Sequence, residues 1–262
     1  MNTNIFVFDI ETVPDVATGR RMYDLGDLSD KDVANALAQL RRQQTGGADF
    51  LKLPMHRVVA ISAVLRTRET FKVWSLGGPD SDEAELVKRF FDGVEKFAPT
   101  LVSWNGGGFD LPVLHYRAML HGIAAPRYWD QGEFDRDCKW NNYLNRYHMR
   151  HTDLMDVLSL FQARATATLD EVAVLLGFPG KLTMDGSQVW ERYLAGDIAD
   201  IRNYCETDVL NTYLIYLRFE MMRGHLTAEQ YQAELSVVRD DLAQADKPHW
   251  KAFLEAWKPT HE

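Results

Sequence analysis

Four acidic side chains in three short segments dominate this sequence: Asp9 and Glu11 in IFVFDIET, Asp110 in SWNGGGFD, and Asp208 in NYCETD. The run Asn4 to Ile10 is apolar and β-favouring and reads as a buried strand, whose residues i and i+2 point to one face. Asp9 and Glu11 therefore project together. Thr100 to Trp104 reads as a second short strand, ending at Asn105 and the glycines Gly106 to Gly108 before Phe109 and Asp110. Glycines there are expected to let the chain turn sharply and to leave a groove open to a close ligand. Asp200 to Arg218 carries a helical apolar pattern, with Tyr204 and Asp208 one turn apart on the same side. Three separate elements thus each offer one or two oxygen ligands.

Clustered carboxylates repel one another, and their pKa values rise unless a cation neutralises them. Hard oxygen donors with no cysteine ligand and few histidines favour magnesium or manganese over zinc. Two such ions about 4 Å apart activate a water on one side of a phosphate and stabilise the leaving oxygen on the other. Tyr204, with an ordinary pKa of about 10, is too weak a base to accept a proton at neutral pH. Its expected part is to orient the attacking water by a hydrogen bond.

The order D-x-E, N-x-x-x-F-D, Y-x-x-x-D resembles the three motifs of the DEDDy 3′-to-5′ exonucleases of the RNase H-like superfamily. Most similar is the stand-alone bacterial group akin to the proofreading domain of family-B DNA polymerases. The resemblance runs from about Ile5 to about Leu217 and includes LPMHRVVAISAV and HTDLMDVLS. It implies an α/β fold, a mixed five-stranded sheet flanked by helices, with the first three strands antiparallel and the later ones parallel. It also implies roles. Asp9, Glu11 and Asp208 hold a first Mg2+ or Mn2+ ion, Asp9 bridges to a second, and Asp110 completes that second site. Asn105 and Phe109 shape the end of the substrate groove, and Tyr204 marks the tyrosine subclass. The implied reaction removes nucleoside 5′-monophosphates from the 3′ end of single-stranded DNA. RNA is the alternative substrate, and a nucleic-acid-binding protein without turnover is the alternative class.

A net charge of −9 looks wrong for a nucleic-acid enzyme, yet the acidic site itself contributes to that sum. Between Leu111 and His151, Arg117, Arg127, Arg136, Lys139, Arg146 and Arg150 are interleaved with seven aromatic residues from Tyr116 to Tyr147. Stacking surfaces among cations suit a single strand, so Arg146 and Arg150 are expected to bind substrate. The competing reading is an ordinary surface insertion with a few core aromatics. With 262 residues, 46% of them hydrophobic, the chain can bury one sizeable core. No apolar run reaches membrane-spanning length, and no basic region precedes the first apolar stretch. The expectation is a cytoplasmic protein with no membrane partner. Cys138 and Cys205 form no disulfide framework, and a packing role is expected for Cys205.

One domain is expected over residues 1–262, with 18–54 as an insertion and 225–262 as a helical extension. In the insertion, SDKDVANALAQLRRQ reads as a helix that packs over one edge of the groove or stays mobile. Thr227 to Trp257 reads as two polar helices decorating the fold, and Ser81 as the N-cap of a helix through Phe97. Asp153 and Asp156 are expected to cap a helix or to support the ligands from behind. His115 and His121 are expected at the solvent or groove, and His56 as a satisfied polar group. No P-loop follows the three glycines. Cys138, His148 and His151 lack the spacing and the fourth ligand of a zinc site.

Overall fold

The computed structural model describes residues 4–182 and 184–258. Strand β1 (Ile5–Pro14) leads into helices α1 (Val16–Tyr23) and α2 (Asp30–Thr45), then strands β2 (His56–Arg66) and β3 (Phe71–Ser75). Helix α3 (Glu83–Phe97), strand β4 (Thr100–Ser103), helices α4 (Asp110–His121) and α5 (Pro126–Trp129), strand β5 (His151–Asp153) and helix α6 (Leu154–Leu158) follow. The chain closes with α7 (Leu169–Leu175), α8 (Val189–Ala195), α9 (Ile198–Met222), α10 (Ala228–Ala245) and α11 (Pro248–Ala256).

The sheet order is β3-β2-β1-β4-β5. The pairs β1–β2 and β2–β3 are antiparallel, and β1–β4 and β4–β5 are parallel. This is the mixed RNase H-like arrangement that the resemblance implied. Alternation along β1 sends Ile5 and Val7 into the core beneath α9, while Phe6, Phe8 and Ile10 pack on α3 and α4 across the sheet. A sheet apolar on both faces needs a helical layer on each, and α9 on one side with α3 and α4 on the other supply it.

Several local expectations change. The N-cap of α3 is Asp82, which accepts from the Glu85 N–H, because Ser81 turns back to accept from Gly78. The turn from Arg66 to Thr70 between β2 and β3 contains no glycine, proline or asparagine, and the Thr67 hydroxyl holds it by accepting from the N–H groups of both Glu69 and Thr70. Helix α1 was not legible in its sequence. Gly19 interrupts the pattern, but α2 lies so close that a Cβ there would come within 2.8 Å of Leu37. Helices α10 and α11 are integral to the fold: Trp250, Phe253 and Trp257 are buried in the core with Val209 and Tyr213 of α9. Among the described residues no helix is long and apolar enough to cross a membrane.

Candidate active site

Strand alternation and helical periodicity carry the acids to one place. Asp9 and Glu11 leave β1 on the α9 side, and the strand bulges immediately after Glu11. Bulges of this kind kink a strand and re-aim its neighbours, and they are frequent beside functional sites. Asp110 is the first residue of α4, and its Oδ1 accepts from the Ile10 N–H at 3.1 Å, which docks the helix start between the two acids of β1. From α9, Asp208 reaches the same groove with Tyr204 one turn before it. Glu11, Asp110 and Asp208 are buried, while Asp9 is partly exposed.

Burial raises the pKa of every one of these carboxyls, and repulsion adds to it. Asp9 is held well above the usual carboxylate range by desolvation and by Asp110 and Asp208. Glu11 is likewise raised by desolvation and by Asp9, Asp208 and Asp110, against the pull of the Lys181 ammonium. Desolvation pushes Asp110 up to about 7 and Asp208 up to about 6, the latter opposed by the Tyr204 hydroxyl and by Lys181. The Tyr204 phenol is pushed far above its ordinary value by burial and by Asp208 and Glu11, so it stays a hydrogen-bond donor.

Asp153 stabilises the neighbouring loop. It caps α6 and accepts from the N–H groups of Asn105 at 2.9 Å and Gly107 at 2.8 Å. The three glycines serve a different purpose from the one expected. The left-handed residue of the turn is Asn105, at φ 61°, whereas Gly106 is needed because a Cβ would lie 2.3 Å from the Ser103 hydroxyl.

Asp9, Asp110 and Asp208 line an open groove of about 430 Å³, whose walls include Asn105, Phe109, Met155, Asp170 and Lys181, and Glu11 is buried beside them. Tyr204 separates it from a second cavity of about 310 Å³. There Arg192 is already paired with Asp197 and Asp200, and His249 with Glu206. The donor set of the groove suits a hard divalent cation. Four converging carboxylates that resist ionisation alone would ionise readily around one. The thiol of Cys205, grouped with Asp9 and Glu11 within 4.8 Å, is kept protonated by burial and by those acids, and it is no competing ligand.

A family described as predicted 3′-5′ exonucleases related to the exonuclease domain of PolB matches residues 48–257. The chain belongs to this family. The matched stretch holds Asp110, Tyr204 and Asp208, and it begins after Asp9 and Glu11, later than the resemblance read from the motifs. A stretch of 45 residues, 17% of the chain, is 40% identical to the catalytic polypeptide of DNA polymerase epsilon from Saccharomyces cerevisiae, covering 2% of that protein. A family B DNA polymerase from the hyperthermophilic archaeon Pyrobaculum calidifontis is similar over 80% of this chain and 24% of its own, at 20% identity and a TM-score of 0.49. A product-bound exonuclease I is similar over 85% of this chain and 48% of its own, at 11% identity and a TM-score of 0.37. The chain thus spans less than half of each of these relatives.

Within this exonuclease-family domain, Arg146 and Arg150 do not meet the groove. Arg150 sits at the far end of β5, where its carbonyl accepts from the Leu101 N–H and its guanidinium lies over the Tyr143 ring. Arg146 lies over Phe161 and Tyr147. The aromatic segment divides: Tyr128 and Tyr143 are core residues, stacked on each other, while Phe134, Trp140 and Tyr147 are exposed. His115 is wedged against Tyr128 and Trp129 with its pKa pushed down to about 4 by burial, and His121 pairs with Glu83. Neither histidine is a groove residue. His56 bonds Thr12 and packs edge-on against Phe109, and Phe50, near the end of the 18–54 insertion, completes that aromatic cluster at the groove rim.

Lys181 is the groove residue that motif reading missed. Asn211 of α9 clamps the preceding residue, donating to the Gly180 carbonyl at 3.1 Å and accepting from its N–H at 3.3 Å. Gly180 sits at φ +64° with Asp170 Oδ1 where its Cβ would be, so only glycine fits. The available signal was a lysine directly after a Pro-Gly turn, ahead of the third acidic motif.

Proposed function

We propose that this chain is a metal-dependent 3′-to-5′ exonuclease that hydrolyses phosphodiester bonds at the 3′ end of single-stranded DNA and releases nucleoside 5′-monophosphates. The observation that carries the reading is the clustering of Asp9, Glu11, Asp110 and Asp208 from β1, α4 and α9, with Asp9, Asp110 and Asp208 opening onto one groove beside Tyr204. Asp9, Glu11 and Asp208 would hold a first ion and Asp9 and Asp110 a second. Bound there, magnesium or manganese supplies charge neutralisation at phosphorus and a more acidic water.

The protein's own groups do the rest. Tyr204 remains protonated and orients the attacking water by hydrogen bonding rather than by removing its proton. Lys181 places a cation in the groove wall near Asp208, where it would meet the charge of the phosphodiester. Phe109 offers a ring to the terminal base, backed by His56 and Phe50. The water oxygen bonds to phosphorus, the 3′ oxygen of the penultimate nucleotide leaves with a proton, and the phosphate stays on the released nucleotide. DNA is favoured over RNA because the family is related to the exonuclease domain of PolB.

The test is digestion of 5′-end-labelled DNA and RNA, single-stranded and duplex, with magnesium or manganese, by the wild type and by Asp9→Ala. A descending ladder from the 3′ end of single-stranded DNA, lost in a folded Asp9→Ala variant, is the expected outcome. Faster digestion of RNA would reassign the substrate. Undiminished activity in Asp9→Ala would overturn the assignment of the metal ligands.

A further inference from the structure

Asp9, Ser62 and Ser75 stand directly opposite one another on three adjacent strands, Asp9 against Ser62 across β1–β2 and Ser62 against Ser75 across β2–β3. The sheet face around them is apolar, with Val7, Val64 and Val73 in the core beneath α9. Ser62 is 0% exposed and Ser75 5%. A polar row inside an apolar layer is costly unless its members are hydrogen-bonded to one another.

They are. Ser75 donates to Glu206 Oε1 at 2.9 Å, so its oxygen accepts from Ser62 across 3.0 Å. Cys205 closes the other end: its thiol lies 3.4 Å from the Asp9 carbonyl and 3.5 Å from Asp9 Oδ2, and it packs beside the Ser62 hydroxyl, whose proton is given to Ser75. The second oxygen of Glu206 lies 3.1 Å from Lys247 Nζ and 2.9 Å from His249 Nε2, one just before α11 and one on it. A row of buried polar groups on the α9 face of the sheet therefore runs from Asp9 by way of Cys205, Ser62 and Ser75 to Glu206 and the C-terminal helix.

We propose that this row is a positioning device for Asp9, in which Cys205 orients the carboxylate and Ser62, Ser75 and Glu206, anchored by Lys247 and His249, hold Cys205 in place. The inference rests on the reading of Asp9 as a metal-holding carboxylate. A carboxylate that binds metal performs best when its other contacts fix its direction beforehand. A thiol suits this position because it donates weakly, stays off a hard cation, and fills the 3.4–3.5 Å gap that a hydroxyl would span poorly. The expected packing role of Cys205 is thereby extended to an orienting one.

The experiment compares wild type, Ser62→Ala, Cys205→Ala and Cys205→Ser. Mn2+ affinity is measured by electron paramagnetic resonance, single-turnover cleavage with a labelled single strand, and folding by thermal melts. Ser62→Ala and Cys205→Ala are expected to bind Mn2+ about tenfold more weakly and to lose a comparable factor in kcat, with KM for the strand nearly unchanged. Cys205→Ser keeps a donor but spans the 3.4–3.5 Å gap less well, and it is expected to recover part of both, falling between Cys205→Ala and wild type. If the row only packs, the melts move while Mn2+ affinity of the folded variants stays at the wild-type value, and the proposal is overturned. Should Cys205→Ala fail to fold, Ser62→Ala decides alone, since it removes one oxygen. A wild type that neither binds Mn2+ nor cleaves refutes the proposed function instead, so the two failures are distinguishable.

Discussion

Replacing Asp110 by asparagine should stabilise the metal-free protein, by an amount set by pH. Asp110 is 4% exposed, and desolvation pushes its pKa up to about 7, against about 3.9 in an unfolded chain. An acid raised in this way supports the fold while protonated. Its contribution is complete below the unfolded pKa and is lost as pH climbs through the folded one. Between pH 5 and pH 8 the loss amounts to about 2–3 kcal/mol. The substituted amide cannot ionise, and its carbonyl can still accept from the Ile10 N–H. The variant should therefore melt about 5–10 °C above wild type at pH 8 in EDTA, with the gap closing toward pH 5. His115 and His151, both pushed down to about 4 by burial, titrate with the opposite slope, but they are common to both proteins and cancel in the difference. Saturating Mg2+ at about a hundred times its Kd should return about 2.7 kcal/mol to wild type and less to the variant. Differential scanning calorimetry across that pH range decides the matter. A gap that does not change with pH, or a variant less stable than wild type at pH 8, would refute the account of the acidic cluster.

Tyr204→Phe retains the ring but not the hydroxyl, and kcat should fall by roughly ten- to a thousandfold with binding nearly unchanged; a fully active variant in single-turnover assays would remove Tyr204 from the mechanism. Lys181→Ala withdraws the cation that pulls Glu11 and Asp208 down. The acidic limb of its kcat/KM profile should accordingly shift to higher pH, and a pH–rate series from 6 to 9 tests this. Phe253→Ala should cost about 3–5 kcal/mol in urea unfolding, because the ring is fully buried. A loss under about 1 kcal/mol would show that α11 is a detachable decoration.

The acidic motifs were legible because each sits in a run with a single strong period. Alternation in IFVFDIET places Asp9 with Glu11, and one helical turn places Tyr204 with Asp208, whatever the rest of the chain does. The strands and most helices could be read on the same grounds. Arg146 and Arg150 lie outside the lining of the acidic groove, because interleaved charge and aromaticity specify a composition and not a direction. Tyr143 and Tyr128 turn inward to the core, and Arg150 follows Tyr143 to the far end of β5. The polar reading of α11 failed for a related reason. A short helix among charged residues shows its buried stripe only when its partner is known, and here Trp250, Phe253 and Trp257 find α9.

By itself, then, the sequence determined which residues share a face within one element, since that depends on periods of about 2 and 3.6 residues. Tertiary structure alone decided which faces meet. Lys181 reaches the acids because Asn211, 31 positions after Gly180, clamps that glycine. Cys205 touches Asp9, 196 positions away, because α9 crosses the sheet above the polar row of Ser62 and Ser75. Contacts at such separations follow from how the layers pack, and no local pattern encodes them.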